Sequence, residues 1–241
     1  MAPLTRCSRS PAVITRALVE YCGWPLTLFN AGLNPEHLKA ASVTLVDLVG
    51  QTARCLSTGH ALPQAVVKHL FQQGLEWGEH LGRQRPDTVL GIGECVVGGT
   101  TTALAVLLGL GVAAGDKVNS SHRICNHQQK YQLAQQGLRT LPPLHDRDPL
   151  AIVAAVGDPM QPVVAGMAIA ASRHAGVLLA GGTQMLAVYT LAAQAAQTYQ
   201  LPWCPEAVVI GTTPWVATDS SGNTLGLLEA IAATVQNAQP R

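Results

Sequence analysis

Three stretches of this sequence follow an apolar run with glycine and threonine: Gly93-Glu94-Cys95-Val96-Val97-Gly98-Gly99-Thr100-Thr101-Thr102, then Ala180-Gly181-Gly182-Thr183, then Gly211-Thr212-Thr213. Glycine lets the backbone approach a ligand and adopt positive φ, threonine hydroxyls cap or donate, and the free N–H groups of a helix start attract an anion. Read singly, each loop is equally a tight turn with an N-cap; three at one sheet edge favour a phosphate cradle. Glu94 is the catalytic candidate, because it sits between an apolar strand and the triple threonine in a chain with 14 acidic residues. A carboxylate there can take a proton or stabilise a cationic sugar transition state, and partial burial would raise its pKa toward neutrality. Its plain alternative is a loop carboxylate that caps nearby N–H groups. Lys130, after Ser120-Ser121-His122, can reach a phosphate as a point charge or sit on a solvated helix face.

Familiar nucleotide motifs are absent. Gly91-Ile92-Gly93 is followed by Val96 where the dinucleotide fingerprint needs its third small residue, and no Gly-Lys-Ser/Thr is present. An adjacent acidic pair leading into a Gly/Thr loop, which would bind a sugar pyrophosphate through magnesium, is also missing, so a mononucleotide bound without metal or other cofactor fits best. His122-x-x-Cys125-x-His127 comes nearest to a zinc pattern but lacks a second ligand pair at a standard spacing. Neither Cys95 nor Cys125 lies in a Gly-x-nucleophile-x-Gly elbow, which removes a hydrolase of that type.

The elements that must position these loops alternate. Helices are expected over 13–21, with Ser10 as N-cap and Pro11 at the first helical position, and over 63–81, 101–110, 127–137, 149–156, 162–173 and 184–199. Strands are expected at 25–29, 43–49, 88–92, 176–179 and 207–210, with a short one ending at 117–119. Repeated strand and helix connect parallel strands, and sites in such sheets lie beyond the strands' C-terminal ends. The expected fold class is α/β: a parallel sheet with helices on both faces, Rossmann-like and three-layered, plus a small helical part. Residues 1–241 read as one nucleotide-binding domain, within which 1–85 can be set apart as a partial subdomain.

Composition supports this. Fifteen Lys+Arg against 14 Asp+Glu give a net charge of +1, which excludes a polyanion-seeking surface and hence nucleic acid. Charged residues are 12% of the chain against about 25% in an ordinary soluble domain. Hydrophobics are 48% and aromatics 4%, so the core must be aliphatic. The longest near-apolar run, 103–114, is interrupted by Gly109 and Gly111 and falls well short of the ~20 residues a membrane span needs. Residues 1–16 lack the apolar core and cleavage site of a signal peptide, so a cytoplasmic protein is expected. Six cysteines without a C-x-x-C are expected to be reduced and mostly buried.

Gly93-Glu94 followed by Gly98-Gly99-Thr100-Thr101-Thr102-Ala103 resembles the Gly-Glu…Gly-x-Thr-Thr-Thr-Ala loop of nicotinate-nucleotide:dimethylbenzimidazole phosphoribosyltransferases. The resemblance extends in order through Ser10-Pro11-Ala12-Val13-Ile14-Thr15-Arg16, Asn30-Ala31-Gly32-Leu33, Asn119-Ser120-Ser121-His122 leading to Lys130, Val156-Gly157-Asp158 and Leu179-Ala180-Gly181-Gly182-Thr183. It is strongest to the divergent archaeal and cyanobacterial branch, which also carries a segment like Thr212-Thr213-Pro214-Trp215-Val216. What the resemblance implies is a homodimeric α/β enzyme of cobamide (vitamin B12) lower-ligand assembly. It would move ribose phosphate from nicotinate mononucleotide to a benzimidazole-type base. Glu94 matches the family's active-site loop glutamate. Gly93, Gly98, Gly99, Thr100, Thr101 and Thr102 match its nucleotide-binding turn, Lys130 its phosphate-contacting lysine, and Asp158, Gly181, Gly182 and Thr183 complete the nucleotide site.

The chain also departs from the pattern. Family chains are longer at both ends, and the glutamate usually assigned as general base lies in a C-terminal Glu-Gly-x-Gly-Ala-Gly-like segment. Glu229, the last acid here, has no such glycines after it. The resemblance therefore leaves open a truncated enzyme, an enzyme in which Glu94 acts alone, and a catalytically incompetent nucleotide-binding protein.

Overall fold

The computed structural model describes residues 12–34, 43–120 and 126–238. The Ser10-Pro11 cap, Cys7, Ser121, His122 and Cys125 lie outside them. Helix α1 (Ala12–Cys22) is followed by β1 (Thr27–Asn30) and β2 (Thr44–Asp47), which pair in parallel with Thr27 opposite Thr44. Asn30 closes the turn after β1: its Oδ1 accepts from the backbone N–H groups of Gly32 and Leu33.

The rest is built on a longer α2 (Gln64–Gln84), then β3 (Val89–Ile92), α3 (Gly99–Gly109), α4 (His127–Leu138), α5 (Pro149–Val156), α6 (Met160–Ala171), β4 (Gly176–Ala180), α7 (Thr183–Thr198), β5 (Val208–Gly211), the short α8 (Pro214–Ala217) and α9 (Thr224–Ala238). The fold is α/β with parallel strands flanked by helices. These strands fall in two sheets, β1-β2 and β3-β4-β5.

Local chemistry explains the boundaries. Helix α5 starts where Asp148 Oδ1 accepts from Leu150 N at 2.8 Å, with Pro149 in the first turn; the same oxygen accepts from Tyr199 Oη on the far end of α7. Such a cap satisfies N–H groups the helix cannot. Helices α2 and α6 cross backbone to backbone: a Cβ on Gly74 would lie 2.2 Å from Val163 O, and one on Gly166 would lie 2.5 Å from Phe71 O. Aliphatic side chains of α2, α5, α6 and α7 fill the main core with the inward faces of β3, β4 and β5. A second cluster joins Leu104 and Leu107 of α3 to Leu186 of α7 and Leu227 of α9.

Two expectations need correction. Residues 117–119 form no strand but a turn, because Asp116 takes φ 58° and Asn119 N bonds the Thr183 hydroxyl instead of a neighbouring strand. Among the described cysteines, Cys22, Cys55 and Cys95 are exposed and Cys204 is half-buried. They stand at the end of α1 and on connections.

Candidate functional site

The ends of β3, β4 and β5 lie abreast, with Ile92 opposite Leu179, Leu179 opposite Ile210 and Ala180 opposite Gly211. All three Gly/Thr loops therefore leave the same edge. In the first, Gly98 holds φ 76° as the N-cap of α3, a conformation that disfavours any side chain with a Cβ. Gly99 is needed for proximity: a Cβ there would come within 3.0 Å of the Gln184 side chain. That contact brings the start of α3 against the start of α7, whose N-cap is Gly182. Neither helix has a side-chain cap. Two helices of 11 and 16 residues thus present free N–H groups and positive dipole ends at one place.

Beneath this edge lie two buried polar lattices. In one, Asp158 Oδ2 accepts from Gln184 Nε2 at 2.8 Å and from Thr102 Oγ1 at 3.0 Å, while Oδ1 accepts from Met160 N at 3.0 Å. Gln161 closes the ring, donating to Gln184 Oε1 and accepting from Asp158 N. In the other, Asn119 Oδ1 accepts from the hydroxyls of Thr183 and Thr224, and its Nδ2 donates to Val216 O and Asp219 Oδ2. Lys130 is 4% exposed, which removes the solvated-face alternative, and its Nζ donates to Asn119 O at 3.0 Å. His127 Nε2 pairs with Ser221 O.

Electrostatics raise two of the site's acids and lower a third. Glu94 is exposed on the loop, and its Oε2 accepts from Val96 N at 2.8 Å. The surrounding protein still desolvates its carboxyl and raises its pKa; the Val96 bond opposes this and the Asp158 charge adds to it. Burial likewise raises Asp158, against its four hydrogen bonds. Asp219 is lowered by its bonds to Ser221.

A family model described as Phosphoribosyltransferase (DBI_PRT) matches residues 10–207. The chain belongs to this family. The UPF0284 protein of Cyanothece sp. (strain PCC 7425 / ATCC 29141) is 61% identical over 231 residues, covering 95% of this chain and 61% of the relative. That of Nostoc sp. (strain PCC 7120) is 54% identical, covering 99% of this chain and 64% of the relative. The chain therefore spans about six tenths of the length of these curated relatives. A solved nicotinate-nucleotide-dimethylbenzimidazole phosphoribosyltransferase from Thermus thermophilus shares the fold, with a TM-score of 0.61 and 17% identity over 96% of this chain and 76% of that one.

Within this chain the structure brings together Gly98, Gly99, Thr102, Asp158, Gly182 and Thr183, with Glu94 on the rim. Asp158 and Thr183 are 4% exposed and fully engaged by protein donors and acceptors; Lys130 holds backbone beneath the same edge. Gln161, Gln184, Asp219 and Thr224 were not singled out from sequence. The available signal was a long amide in otherwise apolar helical starts, Met160-Gln161-Pro162-Val163 and Thr183-Gln184-Met185-Leu186, since a buried amide must find partners. Among the described residues no group of three His, Cys, Asp or Glu side chains is placed to hold a metal. No described helix is long and apolar enough to cross a membrane. The clefts lined by Arg54, His60 and Gln64, and by Arg139 and Arg147, share no residue with the loop edge.

Proposed function

We propose that this edge binds nicotinate mononucleotide and transfers its ribose phosphate to a benzimidazole-type base in cobamide lower-ligand assembly, within a cytoplasmic homodimer. The supporting observation is the pair of uncapped N-termini, at Gly98-Gly99 and Gly182-Thr183, beside a loop carboxylate whose proton affinity is raised. The phosphate sits on the N–H groups of α3 and α7. A ring nitrogen of the incoming base attacks C1′ as the bond from C1′ to the nicotinate nitrogen breaks, the bonding pair leaving with nicotinate through an oxocarbenium-like state. The ring N–H of the attacking base gives its proton to Glu94, leaving the transferred ring neutral, and the raised pKa of Glu94 suits a base near neutrality. The lattices below fix both helix starts, so positioning and preorganised dipoles supply much of the rate.

A second reading, binding without turnover, draws on the chain spanning 61% of the Cyanothece relative. Chromatography of nicotinate released from the mononucleotide and dimethylbenzimidazole, with calorimetry of the mononucleotide alone, separates the two. Nicotinate release that Glu94→Gln abolishes supports transfer. Binding without release supports the second reading, and absence of binding refutes both.

A further inference from the structure

Asp158 is a buried carboxylate whose bonds include no cation. It is 4% exposed and accepts from an amide, a hydroxyl and a backbone N–H. Helices α3, α6 and α7 supply those groups, and α5 ends two residues before it; none of the four contains a charged residue, and Tyr189 of α7 is their one titratable group. The loop before α3 adds Cys95 and Glu94, whose charge and that of Asp158 oppose each other. The turn at Gly32, where a Cβ would lie 3.0 Å from Pro159, adds none. The starts of α3, α6 and α7 meet here with their positive ends together, and an unpaired carboxylate is the charge that offsets them.

The hydrogen bonds around Asp158 form a ring with one sense. Asp158 N donates to Gln161 Oε1 at 3.0 Å, Gln161 Nε2 to Gln184 Oε1 at 3.0 Å, and Gln184 Nε2 back to Asp158 Oδ2 at 2.8 Å. A backbone N–H only donates and a carboxylate only accepts, so both amides between them are forced to point the same way round. A proton on Oδ2 would face the hydrogens that Gln184 and Thr102 already direct there. The Gln184 side chain also lies 3.0 Å from where a Cβ on Gly99 would stand. One side chain of α7 therefore touches the start of α3 and is bonded to the start of α6.

We propose that Gln184 is the positioning residue of the loop edge: its amide, held in one sense by an ionised Asp158, sets the spacing of the α3 and α7 N-termini. What those N-termini hold, a phosphate, rests on the function proposed above. Gln184 acts on it only through the two helix starts, which repel each other and need a tie before the anion arrives.

The test makes the ring titratable in the full 241-residue chain. In Q184E a protonated carboxyl reproduces both bonds, donating its O–H to Asp158 Oδ2 and accepting from Gln161 Nε2, whereas an ionised one sets two carboxylates face to face. Such a pair shares one proton at about pH 6 and has lost it by about pH 9, so the ring is present at the lower pH and absent at the higher. Amide exchange at Asp158, whose N–H is held by Gln161 Oε1, reads the ring without a ligand. Calorimetry with nicotinate mononucleotide reads the edge. Each value is divided by that of the parent at the same pH, which cancels the ionisation of the probe. The proposal requires Q184E to match the parent at about pH 6 and to fall about tenfold or more below it at about pH 9, in protection and in affinity. Q184M, similar in volume but without these bonds, should fall about tenfold or more at both. A glutamine that merely fills space would lower Q184E alike at both pH values. That result, or Q184M behaving as the parent, overturns the proposal. Binding is compared where circular dichroism shows the fold intact, and Q184M, which buries no charge, decides if Q184E unfolds at the higher pH. A parent that binds no mononucleotide refutes the function proposed above, while the exchange ratios still decide for or against the ring.

Discussion

The rim and the base of the candidate site are made of opposite materials. The rim, residues 93–98, is an exposed loop held by the bond from Val96 N to the Glu94 carboxylate. The base is a set of buried polar groups, Asn119, Asp158, Gln161, Thr183, Gln184 and Thr224, each 8% exposed or less and bonded to one another across α3, α6, α7 and α9. Buried polar networks are costly when half satisfied and rigidifying when complete. The contrast teaches a division of labour: the base fixes where the two helix starts lie, and the rim is free to shape itself around whatever they hold.

That division is tested most severely by separating function from stability at the rim. Glu94→Gln keeps an acceptor for Val96 N–H but cannot take a proton. Turnover should fall about 10²–10⁴-fold, a barrier increase of about 3–5 kcal/mol, with the unfolding midpoint unchanged. A loss of stability of comparable size would show that Glu94 belongs to the base and erase the contrast.

The base should respond in the reverse way. Asn119→Ala removes the acceptor of the Thr183 hydroxyl, and it takes one of two partners from the Thr224 hydroxyl and from Val216 O, which still bond each other. One orphaned buried donor costs about 1–3 kcal/mol and each further lost bond about 0.5–1.5 kcal/mol, so urea unfolding should report a loss of about 2–4 kcal/mol. Mononucleotide affinity, measured under conditions where the variant remains folded, should fall too, because the start of α7 loses its tether. Full stability in this variant would mean the lattice is incidental.

How much of this was legible follows from the range of the interactions. The helix and strand alternation, the three Gly/Thr exits and Glu94 are local signals, and the elements from α2 to β5 emerge near where the apolar periodicity places them, apart from the strand expected at 117–119. The lattice is not local: Asn119 meets Thr183 at 64 residues' separation and Thr224 at 105, and Gln184 meets Thr102 at 82. No period or short motif encodes such pairs. Lys117-Val118-Asn119 misleads for the same reason, since Val118 between two polar residues mimics a strand while its burial comes from packing against α3, α7 and α9. The backbone contact of α2 with α6 was written in the glycines at 74, 78 and 166, yet it reads as helix weakness until the partner helix is known.

A smaller effect is expected where rim meets helix. Gly98→Ala imposes a Cβ at φ 76°, where open space surrounds it but the backbone is disfavoured. The cost should be about 1 kcal/mol from conformation alone, read as a shift in the urea midpoint. A cost several times larger would imply that the rim is packed as tightly as the base.

The finest discrimination uses pH. Asp158 and Glu94 both have pKa values raised mainly by burial. A group that binds its proton more tightly when folded adds stability below its unfolded pKa and withdraws it as pH rises through the folded value. Both groups therefore make the chain less stable as pH climbs from the ordinary carboxylate range toward neutrality. Glu79 and Asp219 are shifted down and act with the opposite sign, losing their contribution as pH falls; the difference between a variant and the parent cancels them. Asp158→Asn removes one raised group and the charge that helps raise the other. Its stability should decline less steeply over that interval in urea titrations, and the Glu94 carboxyl, followed by carbon-13 NMR, should titrate at lower pH. An unchanged Glu94 titration would mean that base and rim are electrostatically independent, and that the loop carboxylate owes its proton affinity to desolvation alone.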